Sequence, residues 1–315
     1  MANIAIVGTG FIGRAWAISF ARAGHRIRLW DAAAKAPEAA VAYIAGILPE
    51  LERNDLLDGS TPAAVLARIG AAGSLAEALA DADHVQENTP EVLEAKRAVF
   101  AELDTLTPAG AVIASSTSAL LPSRFTDHLK GRARCLVVHP INPPYLIPAA
   151  EVVPAPWTDA AVVERTADLL RSAGHSPIVL KREIDGFVMN RLQGALLEEA
   201  FRLVADGIAS VEDVDIGIRD GLALRWSFMG PFETIDLNAP GGVGDYVRRY
   251  QGIYERIFPS TQRRVDWAGP VLETIEAERR ARLPADALGE RQVWRDRLLM
   301  ALSAHKRRTA ADIGS

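Results

Sequence analysis

Residues 3–13, NIAIVGTGFIG, decide the fold of this chain. NIAIVG is an apolar run of strand length, and the glycine turn GTGFIG leads at once into RAWAISFARAG, where apolar residues recur at helical spacing. The next run, HRIRLWD, alternates like a second strand and ends on Asp31. The stretch therefore predicts a strand, a turn, a helix and a second strand that together begin a parallel sheet.

The three glycines of this turn have the spacing of a dinucleotide-binding site. Gly8 permits the tight turn, Gly10 lets the backbone approach a pyrophosphate, and Gly13 lets the helix pack on the strand. The N-terminus of the helix offers N–H groups and the positive end of its dipole to the phosphates. Asp31 is placed to accept hydrogen bonds from both ribose hydroxyls and to repel a 2′-phosphate. Glycines also occur in turns that bind nothing, but this combination of elements predicts NAD rather than NADP as the cofactor.

Strands and helices continue to alternate as far as residue 184. HVQENT, AVIASST and RCLVVHP are apolar runs of strand length, and helical patterns separate them. Residues 1–184 are therefore predicted to form a Rossmann-type, doubly wound sheet with helices on both faces. Ligands of such sheets lie beyond the carboxyl ends of the strands. Those ends here are GTG, Asp31, ENTP, SSTS and HP.

The pattern changes at residue 185. GFVMNRLQGALLEEAFRLVADG is a long helical stretch, and no convincing strand follows it. The predicted fold class is therefore α/β: a Rossmann-type NAD-binding domain over residues 1–184, followed by an all-α domain over residues 185–315.

Composition and charge exclude several classes of protein. A net charge of -5 gives no basic surface of the kind that nucleic acid requires. The chain has no window of about eighteen apolar residues, and its N-terminus, MANIAIVGTG, lacks the basic region of a signal peptide. The single cysteine, Cys135, excludes an internal disulfide, and no ligand spacing for zinc is present. We expect a cytoplasmic protein with no metal, no nucleic-acid partner and no membrane span.

Residues 137–153, VVHPINPPYLIPAAEVV, place one histidine and one glutamate at the two ends of a proline-rich loop. Proline fixes φ, so the loop is built to hold one shape. Adjacent strands with a rigid link can bring the imidazole of His139 into contact with the carboxylate of Glu151. A carboxylate on one ring nitrogen fixes the tautomer and stabilises the imidazolium, so the other nitrogen can take a proton from an alcohol. Hydride transfer from an alcohol to a nicotinamide needs such a base.

Two further polar residues can reach the same oxygen. Ser118 follows SST at another strand end, and Asn190 lies on the first helix of the second domain. Taken singly, each of these residues has an ordinary structural explanation, such as a helix cap for Ser118 or a turn former for Asn142. Their coincidence at one edge of a cofactor-binding sheet favours an active site.

The motifs of the chain resemble those of a known family. GTGFIG with Asp31, then SSTSAL, HPINPPYLIPAAE and DGFVMNRL, in this order and spacing, are similar to the 3-hydroxyacyl-CoA dehydrogenase family over nearly the whole chain. Within that family, HPINPPYLIP, GLALRWSFMGPFETIDLNAPGG at 221–242 and RQVWRDRLLMAL most resemble the lambda-crystallin branch, whose enzyme is L-gulonate 3-dehydrogenase. One departure is Ala119, which stands where many members have serine or cysteine.

The resemblance implies a role for individual residues. His139 would be the general acid/base, Glu151 its partner carboxylate, Ser118 and Asn190 the hydrogen-bonding residues around the reacting oxygen, and Asn142 a substrate-binding residue. The cofactor would be NAD, and the family implies a homodimer formed through the helical domain. The implied cofactor-binding residues are Gly8, Gly10, Phe11, Ile12, Gly13, Asp31, Glu91, Lys96 and Ser118.

The substrate class depends on which cations are available. A CoA thioester needs basic side chains for its phosphorylated tail, and residues 32–67 offer only Lys35 and Arg53. A sugar acid instead needs a cation for its carboxylate, and the planar fork of Arg225 suits that role. Arg225 can equally pair with a structural acid such as Asp220 or Glu233.

Three hypotheses remain open at this point. The first is an NAD-dependent dehydrogenase of a small hydroxy acid, with oxidation of L-gulonate to 3-dehydro-L-gulonate as the best single candidate. The second is a short-chain 3-hydroxyacyl-CoA dehydrogenase acting on 3-hydroxybutyryl-CoA. The third is a crystallin-like structural protein without turnover, against which the intact set of four catalytic residues argues.

Overall fold

The structure, a computed structural model, describes residues 1–313 and contains one eight-stranded sheet. The strands in chain order are β1 (Asn3–Val7), β2 (Arg26–Trp30), β3 (Ile69–Ala71), β4 (His84–Glu87), β5 (Val112–Ser115), β6 (Cys135–Pro140), β7 (Ala149–Pro154) and β8 (Ser176–Val179). Their order in the sheet is β3-β2-β1-β4-β5-β6-β7-β8. All neighbouring pairs are parallel except β6 and β7, which are antiparallel. The predicted α/β class, with helices after the sheet, is confirmed.

The helices fall into two groups along the chain. Those that alternate with the strands are α1 (Phe11–Arg22), α2 (Ala36–Arg53), α3 (Pro62–Leu66), α4 (Leu75–Leu79), α5 (Leu93–Leu106), α6 (Pro122–Thr126) and α7 (Ala160–Ser172). Those that follow the sheet are α8 (Met189–Ala205), α9 (Val211–Ile216), α10 (Ala223–Trp226), α11 (Pro231–Leu237), α12 (Gly242–Thr261), α13 (Pro270–Arg282) and α14 (Leu288–Ile313). A π-helical segment, Gly217–Leu222, joins α9 to α10.

Helices cover both faces of the sheet, which explains why a central strand such as β1 is an almost continuous apolar run. Successive side chains of a strand point to opposite faces. In β1, Ile4 and Ile6 enter the core that includes α1 and α2, whereas Ala5 and Val7 enter the core that includes α4, α5 and α6. A strand buried on both faces is a continuous apolar run rather than an alternating one.

The chain divides into two compact units. The first consists of Met1–Asn190 together with the chain from Trp294 onward, and the second is Arg191–Val293. This division differs from the predicted one, which assigned all residues after 184 to the helical domain. The difference arises because Met300 and Ala304 of α14 are buried in the same core as α1 and α2.

Polar contacts also attach α14 to the first unit. Arg297 pairs with Glu50 at the end of α2, at 2.7 Å between Nε and Oε1. The hydroxyl of Ser303 donates to the backbone oxygen of Leu146 at 3.1 Å. The C-terminal helix is therefore an integral part of the NAD-binding unit.

The second unit is wholly helical and is held partly by one buried guanidinium. Arg202 of α8 donates from Nη2 to the backbone oxygen of Thr261 at 2.8 Å, and from Nε to that of Arg263 at 3.0 Å. These carbonyls lie at the C-terminal end of α12, where a cation is favoured by the helix dipole. None of the helices within residues 1–313 combines the length and apolarity that crossing a bilayer demands.

Candidate active site

The glycine turn after β1 is shaped by two close approaches of the backbone. Gly8 has a φ of +87°, and a Cβ there would lie 2.8 Å from the backbone oxygen of Asn88. A Cβ on Gly13 would lie only 1.9 Å from the backbone oxygen of Gly8. Gly10 differs, because a Cβ there meets no atom within 4 Å. The protein itself therefore requires glycine at Gly8 and Gly13, whereas the space beside Gly10 is left open.

This open space fits the pyrophosphate of a dinucleotide. Gly10 is the N-cap of α1, and no side chain caps that helix end. The first N–H groups of a helix have no partner within the helix, and they favour a bound phosphate. Phe11 and Ile12, both predicted to contact the cofactor, lie in this first turn, with the ring of Phe11 exposed.

Asp31 is fixed at the end of β2 beside the same turn. Its Oδ2 accepts from the backbone N–H of Thr9 at 2.7 Å and from the Thr9 hydroxyl at 3.2 Å. Its Oδ1 accepts from the backbone N–H of Ala33 at 2.9 Å. The carboxylate is thus oriented and lies next to the proposed pyrophosphate position, where it would repel a 2′-phosphate.

His139 and Glu151 lie directly opposite each other on neighbouring strands. The antiparallel register of β6 and β7 pairs the two residues, and the loop between them contains a cis peptide bond at Asn142–Pro143. The imidazole Nδ1 lies 2.7 Å from the Glu151 Oε2. Glu151 is fully buried and His139 nearly so. The predicted contact between imidazole and carboxylate is therefore present at the carboxyl end of β6.

The second carboxylate oxygen of Glu151 is also engaged. Its Oε1 accepts from the backbone N–H of Val188 at 2.6 Å and from that of Met189 at 2.9 Å. Burial by itself raises the pKa of Glu151, but the hydrogen bonds from His139 and from these two N–H groups outweigh it and hold the pKa below its ordinary value. Glu151 is therefore a buried carboxylate that stays ionised.

This arrangement fixes the tautomer of His139. The ionised carboxylate can only accept, so the Nδ1 of His139 must carry a proton and donate it to Glu151. In the neutral imidazole the lone pair then lies on Nε2. The pair is built to take up a proton at Nε2 and to stabilise the imidazolium that results.

Ser118 and Asn190 meet at the end of β5. The side-chain amide of Asn190 donates to the backbone oxygen of Ser118 at 2.6 Å, while Ser118 itself is exposed. Glu91, predicted to contact the cofactor, accepts from the backbone N–H of Ala119 at 3.1 Å and from the hydroxyl of Thr117. The three predicted residues thus share one edge of the sheet, with Asn190 supporting the backbone of Ser118.

Lys96 occupies a different position from the one that the sequence predicted for a cofactor-binding residue. Its ammonium is buried and lies 2.8 Å from the Glu87 Oε1, 2.9 Å from the Glu87 Oε2 and 3.0 Å from the backbone oxygen of Thr89. Glu87 also accepts from the hydroxyl of Ser115 at 2.6 Å. An ammonium has three donors, and these acceptors occupy them, so Lys96 supports the end of β4 from inside the protein.

A buried polar network beneath the site was not predicted. The side chain of Gln86 donates to the Ser116 hydroxyl at 2.7 Å, and the indole N–H of Trp16 donates to the same oxygen at 3.0 Å. Ser116 in turn donates to Asn88 at 2.7 Å. The signal was available in HVQENT, since polar His84 and Gln86 alternate within a strand that is buried on both faces. The network fixes Asn88, whose backbone supports the glycine turn.

The two predicted substrate-binding residues differ in their surroundings. Asn142 is exposed and lies on the proline-rich loop in the first unit. Arg225 is exposed on α10 in the second unit. Of the two acids considered as structural partners for Arg225, Asp220 pairs instead with Arg219, at 2.8 Å between Oδ2 and Nη2.

Comparisons with known proteins agree with this geometry. The model of the NAD-binding domain of 3-hydroxyacyl-CoA dehydrogenases matches residues 3–184, and the model of their C-terminal domain matches residues 186–273. Lambda-crystallin of Oryctolagus cuniculus is 41% identical over 308 residues, which cover 97% of this chain and 96% of that protein. L-carnitine dehydrogenase of Streptomyces griseus is 44% identical over 245 residues, which cover 77% of this chain and 70% of that protein.

Among solved structures, the chain is similar to 5-formyl-3-hydroxy-2-methylpyridine 4-carboxylic acid 5-dehydrogenase, which is described as an NAD+-dependent dismutase. The TM-score is 0.83 at 27% sequence identity, and the match covers 100% of both chains.

Proposed function

Because the chain belongs to the 3-hydroxyacyl-CoA dehydrogenase family, we propose that it oxidises the 3-hydroxyl group of a small hydroxy acid, with L-gulonate as the best single candidate. Family membership itself gives an NAD-dependent dehydrogenase that acts on a CH–OH group. The proposal depends above all on the pair of His139 and Glu151 at the carboxyl edge of the NAD-binding sheet, 2.7 Å apart.

His139 and Glu151 have different roles in the proposed oxidation. The glycine turn and Asp31 would hold NAD+, which would supply the acceptor for the hydride that leaves C3 of the alcohol. The Nε2 of His139 takes the hydroxyl proton as the C–O bond becomes a carbonyl, and Glu151 stabilises the imidazolium. The products are a 3-keto acid and NADH, and His139 then releases its proton to solvent. Asn190 supports the backbone of Ser118, whose exposed hydroxyl is available to the reacting oxygen.

The scarcity of cations on one segment favours a small acid over a CoA thioester. Lys35 and Arg53 are the only basic residues of 32–67, and both are exposed. They flank the two ends of α2, about 27 Å apart at a rise of about 1.5 Å per residue. Two cations at that separation do not form a cluster for the phosphates of a CoA tail.

Two relatives support the same substrate class by their names. L-carnitine and a pyridine 4-carboxylic acid are small molecules with a free carboxylate. We propose that Arg225 binds the carboxylate of the substrate, because it is exposed and no carboxylate within residues 1–313 forms an ion pair with it. A planar guanidinium binds a carboxylate through two parallel hydrogen bonds.

The alternative is oxidation of a short-chain 3-hydroxyacyl-CoA such as 3-hydroxybutyryl-CoA, which the name of the family favours. Purified protein offered L-gulonate and 3-hydroxybutyryl-CoA side by side, with NAD+ or NADP+, distinguishes the two by the formation of reduced cofactor. We expect turnover with L-gulonate and NAD+. Turnover with the thioester alone would establish the alternative and remove the role of Arg225, and turnover with neither would favour a crystallin-like structural protein.

We also propose that the protein forms a homodimer through α12. No residue of this helix is buried in the single chain. Its exposed large apolar residues recur at helical spacing and form one stripe. They are Val243, Val247, Tyr250, Ile253, Tyr254, Ile257 and Phe258. An exposed apolar stripe of this length is unfavourable in water, and a second copy of the same helix is a partner of matching chemistry.

The stripe provides a test of the dimer. We expect the double variant Val247→Asp with Ile257→Asp to elute as a monomer of 34.0 kDa in size-exclusion chromatography with light scattering, and the unchanged protein to have about twice the mass of 34.0 kDa. The control is Arg256→Asp, on the other side of the helix, which should remain a dimer. A monomeric unchanged protein would overturn the proposal.

A further inference from the structure

The carboxylate of Glu151 is shared between His139 and the start of α8. One oxygen accepts from the imidazole at 2.7 Å, and the other accepts from the backbone N–H groups of Val188 and Met189 at 2.6 Å and 2.9 Å. Met189 is the first residue of the helix and Val188 directly precedes it, and N–H groups at the N-terminus of a helix have no partner within the helix. Glu151 is fully buried, so these three donors take the place of water around its charge.

The backbone just before this turn has an unusual conformation. Gly186 has a φ of +76° and Phe187 a φ of +49°, and both values lie in the left-handed region. A bulky side chain rarely adopts that region, so the surrounding structure must hold Phe187 there. Its ring is fully buried, and its centroid lies 5.6 Å from that of the His139 ring. The packing of Phe187 against His139 therefore fixes the backbone conformation of Phe187. That conformation determines the directions of the N–H groups of Val188 and Met189.

We infer that the N-terminus of α8 is part of the proton-transfer apparatus: the N–H groups of Val188 and Met189, oriented by Phe187, set the pH range in which His139 can act as a base. Phe187 is a positioning residue, since it acts through its neighbours and through the orientation of the imidazole. The inference rests on the proposed function, because it assigns a second set of donors to the same catalytic pair.

The sign of the effect follows from the charge of the pair as a whole. When His139 is neutral the pair carries one negative charge, and when it has taken up a proton the pair is neutral. Hydrogen bonds from N–H groups stabilise the negative state more than the neutral one, wherever the added proton resides. They therefore lower the pH at which the pair loses its proton, and they extend the active form toward acidic pH.

Few other groups can contribute to this titration. Of the strands beside β7, β6 places His139 opposite Glu151 and β8 places Ile178 there. The side chains of Val188 and Met189 are uncharged, and His139 is the one titratable side chain that acts on the Glu151 carboxylate within residues 1–313. Besides burial and the imidazole itself, the two N–H donors are thus the main influence on the Glu151 carboxylate.

Met189→Pro tests the inference, because proline lacks the N–H and is tolerated in the first turn of a helix. We expect the acidic limb of the pH profile of kcat/KM to move to higher pH by about one unit, as the loss of one hydrogen bond to a charge requires. Met189→Leu keeps the N–H and should leave the limb in place, whatever its kcat. The control for the proline itself is Ala160→Pro, at the exposed first residue of α7, which should leave the profile unchanged.

A spectroscopic measurement separates this inference from the proposed function. The proton that the Nδ1 of His139 donates to Glu151 should give a resonance far downfield of the backbone amides in the full-length protein without substrate. The pH midpoint of that resonance should rise in Met189→Pro by the same amount as the kinetic limb. An unchanged midpoint would overturn the inference even in an active enzyme, whereas a shifted midpoint in a protein inactive on both substrates would overturn only the proposed function.

If the Met189→Pro variant does not fold, a milder substitution at the same position tests the inference. Incorporation of the α-hydroxy analogue of leucine at position 189 replaces the peptide bond by an ester, which removes the same N–H and adds no ring. The same rise of the midpoint is expected, and its absence would contradict the inference.

Discussion

Replacing His139 with glutamine is expected to lower kcat by about 10²–10⁴-fold, the range typical of a lost general base. A glutamine amide can still donate to Glu151, so the buried carboxylate keeps a partner, but it cannot take a proton from the alcohol. NAD binding should remain, because the glycine turn and Asp31 are unaffected. Steady-state rates, together with the rise in melting temperature that NAD produces, measure the two effects separately.

The matched control for this variant is His128→Gln. His128 lies on the surface after α6 and pairs with Asp127 at 3.3 Å, so it should tolerate the same change without loss of turnover. Near-normal turnover of His139→Gln would remove His139 from the mechanism. A loss of the NAD-dependent stabilisation would instead indicate that the substitution had disturbed the fold.

Gly10→Ala is expected to weaken NAD binding by at least about tenfold, or about 1.4 kcal/mol, without affecting the fold. In the protein alone a Cβ at Gly10 meets nothing within 4 Å, and the φ of -65° suits alanine. The added methyl group would instead occupy the space in which the backbone approaches the pyrophosphate. Calorimetric titration with NAD gives the affinity, and thermal unfolding gives the stability.

Substitutions of two other glycines serve as comparisons for Gly10→Ala. Gly46 lies exposed within α2 with open space around it, so Gly46→Ala should leave NAD affinity unchanged and raise the free energy of unfolding by up to about 1 kcal/mol. Gly13→Ala would place a methyl group 1.9 Å from the backbone oxygen of Gly8 and should disrupt the turn itself. Unchanged NAD affinity in Gly10→Ala would contradict the assigned pyrophosphate position.

The order of the main elements could be predicted because each carries a local signal. The strands that end at the glycine turn, Asp31, ENTP, SSTS and HP all exist, and β6 and β7 flank the proline-rich loop as predicted. The short strands β3 and β8 were not predicted. β3 has only three residues, and β8 contains a proline and is exposed at both ends, so neither forms an apolar run like those of β4 and β5. Their pairing depends on the neighbouring strand.

The candidate site was predictable where side chains carry the chemistry. The contact of His139 with Glu151 follows from a stiff loop between adjacent strands. The N–H donors of Val188 and Met189 could not be predicted, because backbone groups leave no mark in the sequence. The buried position of Lys96 could not be predicted either, because only the folded chain shows that the Glu87 carboxylate lies 2.8 Å from its ammonium.

The return of α14 to the first unit has a consequence for synthesis of the chain on the ribosome. Met300 and Ala304 complete a core whose other members lie within the first 173 residues. During synthesis, part of the apolar surface of this core therefore stays exposed until α14 has been translated, after the intervening helices. A nascent chain arrested after Asn190 would contain every strand and both proposed proton-transfer residues, but it would lack the helix α14 that covers part of its core.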